Sequence, residues 1–186
     1  MNSNLEVYQT AIVIDGLNVS NWESPAVYQS LYAGGITAIN ATVAIWEDFD
    51  ATMDNIARWL QRFQQYQNIL RQVFTVEDIL AAKRDNRVGI ILGFQNGSPV
   101  GNDLRRLALF HALGVRIIQI TYNERNLIGN GCYERRDDGL SRFGLEFIRE
   151  MNRLGILIDL SHVGDRTTLE TIEVSEKPAS PSHVDS

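Results

Sequence analysis

VGIILGFQNGSPVGNDLRRLALFHALGVRIIQITY, residues 88–122, decides the fold class. Val88–Phe94 and Val115–Tyr122 are short, β-branched and apolar almost without interruption, as strands covered on both faces of a parallel sheet are. Between them Asn102–Leu113 is helical in pattern and stops at Gly114, a residue that readily follows a helix terminus. Strand, helix and strand in that order make a parallel pair joined by a right-handed crossover.

The same rhythm extends in both directions. Ala11–Asp15, Ile36–Ile45 and Ile156–His162 read as further strands, and Pro178–His183 as a weaker sixth, because Pro181 has no free N–H to give. In Ala51–Val73 the residues Met53, Ile56, Leu60, Phe63 and Leu70 fall on one helical stripe. Thr75 is placed to cap a second helix, Gly155 follows Gly144–Leu154, and Asp165–Ser175 is the last helix. Such alternation leaves an open doubly wound sheet or a closed barrel. The open sheet usually carries a glycine-rich phosphate loop after its first strand, whereas Gly16-Leu17-Asn18-Val19-Ser20 holds one glycine. The expected fold is therefore α/β, a TIM-type (β/α)8 barrel with about five to six of its units present. Residues 1–186 read as a single domain, the N-terminal portion of that barrel, truncated at its C-terminus. Ala11–Asp15 would then be an unpaired apolar edge, which favours association between copies of the chain.

The bulk properties exclude several classes of function. Of 186 residues 44% are apolar and 22% charged, with a net charge of −6, and acidic and basic residues are interspersed. No clustered basic face marks a nucleic-acid partner. No apolar run approaches the ~20 residues that span a bilayer, and Met1–Glu6 lacks the order of a signal peptide. Cys132 is the single cysteine, so no disulfide forms within the chain. These features predict a cytoplasmic protein.

In a barrel, function collects at the C-terminal ends of strands. Those ends carry Asp15 to Val19, then Gln95-Asn96, Tyr122-Asn123, His162 and His183. Two of the three histidines thus hold corresponding positions on successive units, where two imidazoles could share one ion or serve as structural hydrogen-bonded groups. His111 lies inside a helical pattern and reads as packing or surface. Trp22 and Trp46 follow strand ends, as pocket lining or as packing. Arg135, Arg136, Asp137 and Asp138 read as a solvated loop, and Cys132 as an ordinary small side chain.

The run Glu150-Met151-Asn152-Arg153-Leu154-Gly155, followed by Ile158-Asp159-Leu160-Ser161-His162-Val163, resembles the signature of the renal (membrane) dipeptidase family of zinc peptidases. Gly139-Leu140-Ser141-Arg142-Phe143-Gly144 is similar to that family's lead-in, and Leu113-Gly114-Val115-Arg116, Ile120-Thr121 and Ile14-Asp15-Gly16 fall in family order. The resemblance implies a binuclear zinc hydrolase acting on dipeptides. It implies metal ligands at His162 and His183, with Gln95 a weak ligand where the family has a bridging glutamate. The family's His-x-Asp pair falls on Leu17 and Val19, neither of which binds a metal, and its substrate-contacting histidine falls on Tyr122. No counterpart of its last aspartate occurs within the chain.

The expected function is that of a metallodipeptidase or amidohydrolase-type hydrolase with a degenerate metal site, holding at most one zinc ion and acting on a dipeptide or related amide. No residue is assigned as catalytic, and Tyr122, Asn123, Asn18 and Asp15 are the candidate substrate pocket. The alternatives are a non-catalytic small-molecule-binding relative and an inactive truncated fragment. Asp15, Asp159 and Asp185 are carboxylates that could stand in as ligands; Asp15 reads rather as a loop cap and Asp159 as a group holding His162 or nearby backbone N–H groups.

Overall fold

A computed structural model describes residues 3–183, so Asp185 lies outside the described residues. Helices and strands alternate: α1 Ser3–Thr10, β1 Ile14–Asn18, α2 Pro25–Ala33, β2 Ala38–Ala44, α3 Phe49–Gln65, β3 Leu70–Gln72, α4 Val76–Arg84, β4 Val88–Phe94, α5 Arg105–Ala112, β5 Val115–Gln119, α6 Arg142–Leu154, β6 Leu157–Asp159, α7 Asp165–Val174 and β7 Ala179–Ser180. The chain forms two compact units, residues 1–41 with 58–91, and residues 42–57 with 92–186.

In the first unit β1 pairs in parallel with β2, Ile14 opposite Ala38, and β3 with β4, Leu70 opposite Val88. Its core is aromatic. Trp59 is 1% exposed, with the rings of Trp22, Phe63 and Tyr28 at 5.1, 5.6 and 6.4 Å and the Arg62 guanidinium 5.3 Å from its own ring. Trp22 is therefore packing. Thr75 caps α4 as its sequence indicates, in a reciprocal box with Asp78.

Here the amphipathic helix read over Ala51–Val73 needs correction. The helix ends at Gln65, and Leu70 belongs to β3. No glycine or proline occurs between 51 and 73 to mark the break, so periodicity runs on through it. Leu60, placed on the buried stripe, is 38% exposed, and Trp59 takes its place. The first strand also starts later than its apolar run, at Ile14, and α1 and α2 have too little apolar periodicity to be legible in the sequence.

In the second unit β4 pairs in parallel with β5, β5 with β6, and β6 with β7, the last through Ile158–Ala179 and Asp159–Ser180. β4 is buried along its whole length, as its unbroken apolar sequence requires. The amphipathic α6 buries Phe147, Ile148 and Met151 and ends at Gly155 in the left-handed conformation, φ 76°, where a side chain would be strained. Every pairing here aligns strand C-termini, which brings the segments after β5, β6 and β7 together.

Candidate functional site

β6 ends at Asp159, 1% exposed and without a cationic partner among the described residues. Its charge is met by hydrogen bonds instead. Oδ1 accepts from Ser161 N (2.9 Å), Ser161 Oγ (2.7 Å) and Ser182 N (3.0 Å), and Oδ2 accepts from Ser182 Oγ at 2.5 Å. A buried carboxylate is tolerable when several donors satisfy it in this way. The same bonds tie the segment after β6 to the segment after β7. His183 N also donates to Ser161 Oγ, at 3.2 Å.

His162, in the segment after β6, has φ 57°, in the left-handed region that histidine and asparagine enter more readily than most side chains. Asn123, at φ 58°, does the same. Non-glycine residues in that region cost about 1–3 kcal/mol each and cluster at functional sites. The result is a contact between the two imidazoles, Nε2 to Nε2 at 2.7 Å. His162 Nδ1 lies 2.8 Å from Asn123 Oδ1, and His183 Nδ1 lies 2.9 Å from Ser182 Oγ.

Ser182 fixes the tautomer of His183. A carboxylate only accepts, so the single Ser182 hydroxyl hydrogen points at Asp159, and Ser182 Oγ accepts from His183 Nδ1–H. Asn123 meets His162 Nδ1 at 2.8 Å, through its oxygen where that nitrogen carries a proton and through its NH2 group, after a half-turn, where it does not. The 2.7 Å between the two Nε2 atoms is a hydrogen-bond distance, which requires a proton on one of them.

An aromatic wall flanks this point. The Tyr122 ring lies 4.4 Å from that of His162, and Trp46, 62% exposed, meets Tyr122 edge-on at 5.1 Å. Cys132 is exposed and in no disulfide. Its Sγ lies 3.5 Å from Asn123 Oδ1 and its N–H donates to His162 O at 2.9 Å, so it belongs to the site's surroundings. Gln95 is buried; its side-chain Nε2 donates to Thr42 Oγ1 at 3.0 Å, and its backbone oxygen accepts from Gln119 Nε2 at 2.7 Å. Asp15 and Asn18 belong to the first unit. There Asp15 accepts from Leu17 N and Asn18 Nδ2, a local loop cap. Val19 is exposed. His111, on α5, is half-buried, and burial together with Arg116 lowers its imidazole below the ordinary range.

Asp159 does hold neighbouring backbone N–H groups, as its sequence position suggests, but its side-chain link runs to His183 through Ser182. Sequence reasoning misses Ser161 and Ser182. The signal that marks them is the repeated Ser-His dipeptide, Ser161-His162 and Ser182-His183.

The loop bearing Asn123 and Cys132 is held from several sides. Asn126 donates to Ile120 O and Asn96 Oδ1 and accepts from Ile128 N and Gly129 N. Asn130 donates to Gly139 O and, through its backbone N–H, to Thr167 Oγ1. Asp137, read as part of a solvated loop, instead caps α7 from 29–30 residues away, accepting from Arg166 N, Thr167 N and Thr167 Oγ1.

As a metal site the described residues are a partial fit. Zinc takes four donors from nitrogen, sulfur and carboxylate. The imidazole pair supplies two for one ion, and no group of three His, Cys, Asp or Glu able to hold a metal occurs among the described residues. A two-ion centre does not fit them. No helix among them is long and apolar enough to cross a membrane.

Residues 6–186 match the model of the membrane dipeptidase family, peptidase family M19. An uncharacterized dipeptidase of Schizosaccharomyces pombe is 34% identical over 151 residues, covering 75% of this chain and 36% of that protein. A dipeptidase of Claviceps purpurea is 30% identical over 127 residues, covering 67% of this chain and 30% of that protein. The chain thus spans about a third of the length of these curated relatives. Among solved structures, an amidohydrolase from Pseudomonas aeruginosa is 42% identical with a TM-score of 0.94, covering 96% of this chain and 55% of that one. A metallo peptidase from Rhodobacter sphaeroides, liganded with a phosphinate mimic of L-Ala-D-Ala, has a TM-score of 0.81 at 18% identity, over 92% of this chain and 64% of that one, and shows the fold alone. The fold is α/β of the TIM-barrel type, incomplete in this chain. Family model, relatives and fold agree with the Asp159–His162 signature, and the chain belongs to the membrane dipeptidase family, peptidase family M19.

Proposed function

We propose that this chain is part of a metal-dependent hydrolase for dipeptides or related amides, its metal site reduced to one ion held through His162 and His183, with Gln95 a weak further donor. The observation behind this reading is the meeting of the two imidazoles at adjacent strand ends, their Nε2 atoms 2.7 Å apart and each ring held by a hydrogen bond at Nδ1. A borderline cation such as zinc suits two imidazoles. When bound, it supplies polarisation of an amide carbonyl and acidification of water. This chain's own residues do the rest. Tyr122 and Trp46 offer an aromatic face to a substrate side chain, and Asn123 holds the His162 ring.

A second reading, a non-catalytic small-molecule-binding relative, draws on Leu17, Val19 and Gln95, which stand where the resemblance implies charged or imidazole ligands. Elemental analysis of purified protein together with a dipeptide hydrolysis assay separates the two. The expected result is at most one metal ion per chain and weak or absent turnover. Leu17→His, Val19→Asp and Gln95→Glu, restored together in a full-length parent, should raise metal content. Two stoichiometric zinc ions in the native protein, or turnover at the ~1–10³ per second ordinary for enzymes, would refute the degenerate site.

A further inference from the structure

We propose that Asp159, acting through the Ser182 hydroxyl, is the positioning residue that locks His183 with its proton on Nδ1, so that His183 Nε2 is a permanent electron-pair donor while His162 is the adaptable member of the pair. This rests on reading the two imidazoles as a metal donor set, and it concerns how that set is prepared. The two rings are held by unlike partners. Behind His183 stands a buried carboxylate, with Ser182 Oγ directed at Asp159 Oδ2 and 2.9 Å from His183 Nδ1. Moving the His183 proton to Nε2 would set two lone pairs against each other at Nδ1. Ser182 could relieve that only by turning its hydrogen away from Asp159 Oδ2, which has no other donor among the described residues, and an unsatisfied buried carboxylate oxygen is costly. Behind His162 stands a neutral amide. A half-turn of the Asn123 side chain exchanges Oδ1 for an NH2 group at 2.8 Å from His162 Nδ1, with only a weak thiol contact from Cys132 broken there. His162 can then carry its proton on Nε2 and donate it across the 2.7 Å gap to His183. The pair therefore closes in one sense, from His162 to His183; a cation held by both rings would need the His162 proton moved back from Nε2 to Nδ1, with the Asn123 oxygen turned to accept it.

The test is nitrogen NMR of the full chain with 15N-labelled histidine, stripped of metal and held above the ordinary imidazole range of about 6.5. Signals are assigned with His162→Gln, His183→Gln and His111→Gln. Expected is His183 as the Nδ1–H tautomer and His162 largely as Nε2–H. Ser182→Ala should release His183 into a mixture of tautomers and weaken zinc binding, measured by competitive titration, by about 10–100-fold. Ser182→Thr, which keeps the hydroxyl, should restore both. An Nε2–H tautomer at His183 in the unmodified protein overturns the proposal without any variant. So does an unchanged tautomer in Ser182→Ala, even with weaker zinc binding, since a merely structural serine would give that. Tautomers that respond as described in a chain that binds no zinc would uphold the lock and refute the metal site instead.

Discussion

Replacing Asp137 with alanine removes the cap of α7. Gly164, at the N-cap position, has no side chain to offer, so Asp137 supplies the acceptors from across the loop: Arg166 N at 2.7 Å, Thr167 N at 3.0 Å, Thr167 Oγ1 at 2.7 Å and Gly139 N at 2.9 Å. Losing a helix cap costs about 0.5–2 kcal/mol, and losing a negative charge at a helix N-terminus a further ~0.3–1 kcal/mol. Thr167 is fully buried, so water replaces its lost partner poorly. A total near 3 kcal/mol corresponds to a fall in Tm of about 6–12 °C for a chain of this size. The pH dependence adds a second arm. Burial raises the Asp137 pKa, but the hydrogen bonds from Thr167, Gly139 and Arg166 outweigh it and hold the carboxyl below its ordinary value. A depressed folded-state pKa means the stabilisation is complete above the unfolded value of about 3.9 and fades as pH falls through the lower, folded one. Thermal melts of wild type and Asp137→Ala at neutral pH and at a series of acid pH values measure both. The gap should be full at neutrality and narrow only below about pH 4. Equal melting at neutral pH, or a gap indifferent to acid, would refute the capping role.

Trp59→Ala should destabilise the first unit by about 3–5 kcal/mol, read by denaturant unfolding, because it empties the centre of an aromatic cluster. A loss below ~1 kcal/mol would mean the cluster collapses to fill the space. Gly131→Ala sets a Cβ 2.1 Å from the Asn123 carbonyl carbon and 2.5 Å from Glu124 N, so backbone must move. The expected outcome is a changed His162 NMR environment with most of the fold retained; an unperturbed His162 signal would show that Asn123 does not depend on this packing.

What the sequence determined was local. Continuous β-branched runs such as Val88–Phe94 can be buried only on both faces, which makes the sheet parallel and the connections helical, and the strands formed where those runs lie. Caps were legible for the same reason, since Thr75 with Asp78, and Gly155 after Leu154, act within three or four residues of themselves. The histidines after two successive strand runs were visible as a pattern, though not as a contact. Tertiary structure alone decided the rest. The three-residue β3 is too short to carry a period and is held by its neighbour β4. Asp137 becomes a cap only because the loop returns to α7, and Asp159 reaches His183 only because β7 lies beside β6 and brings Ser182 within reach. Hydrogen bonds between residues roughly 20–40 positions apart leave no periodicity and no composition bias in the chain. They exist where strand pairing aligns the strand ends, and the imidazole pair is set by that alignment.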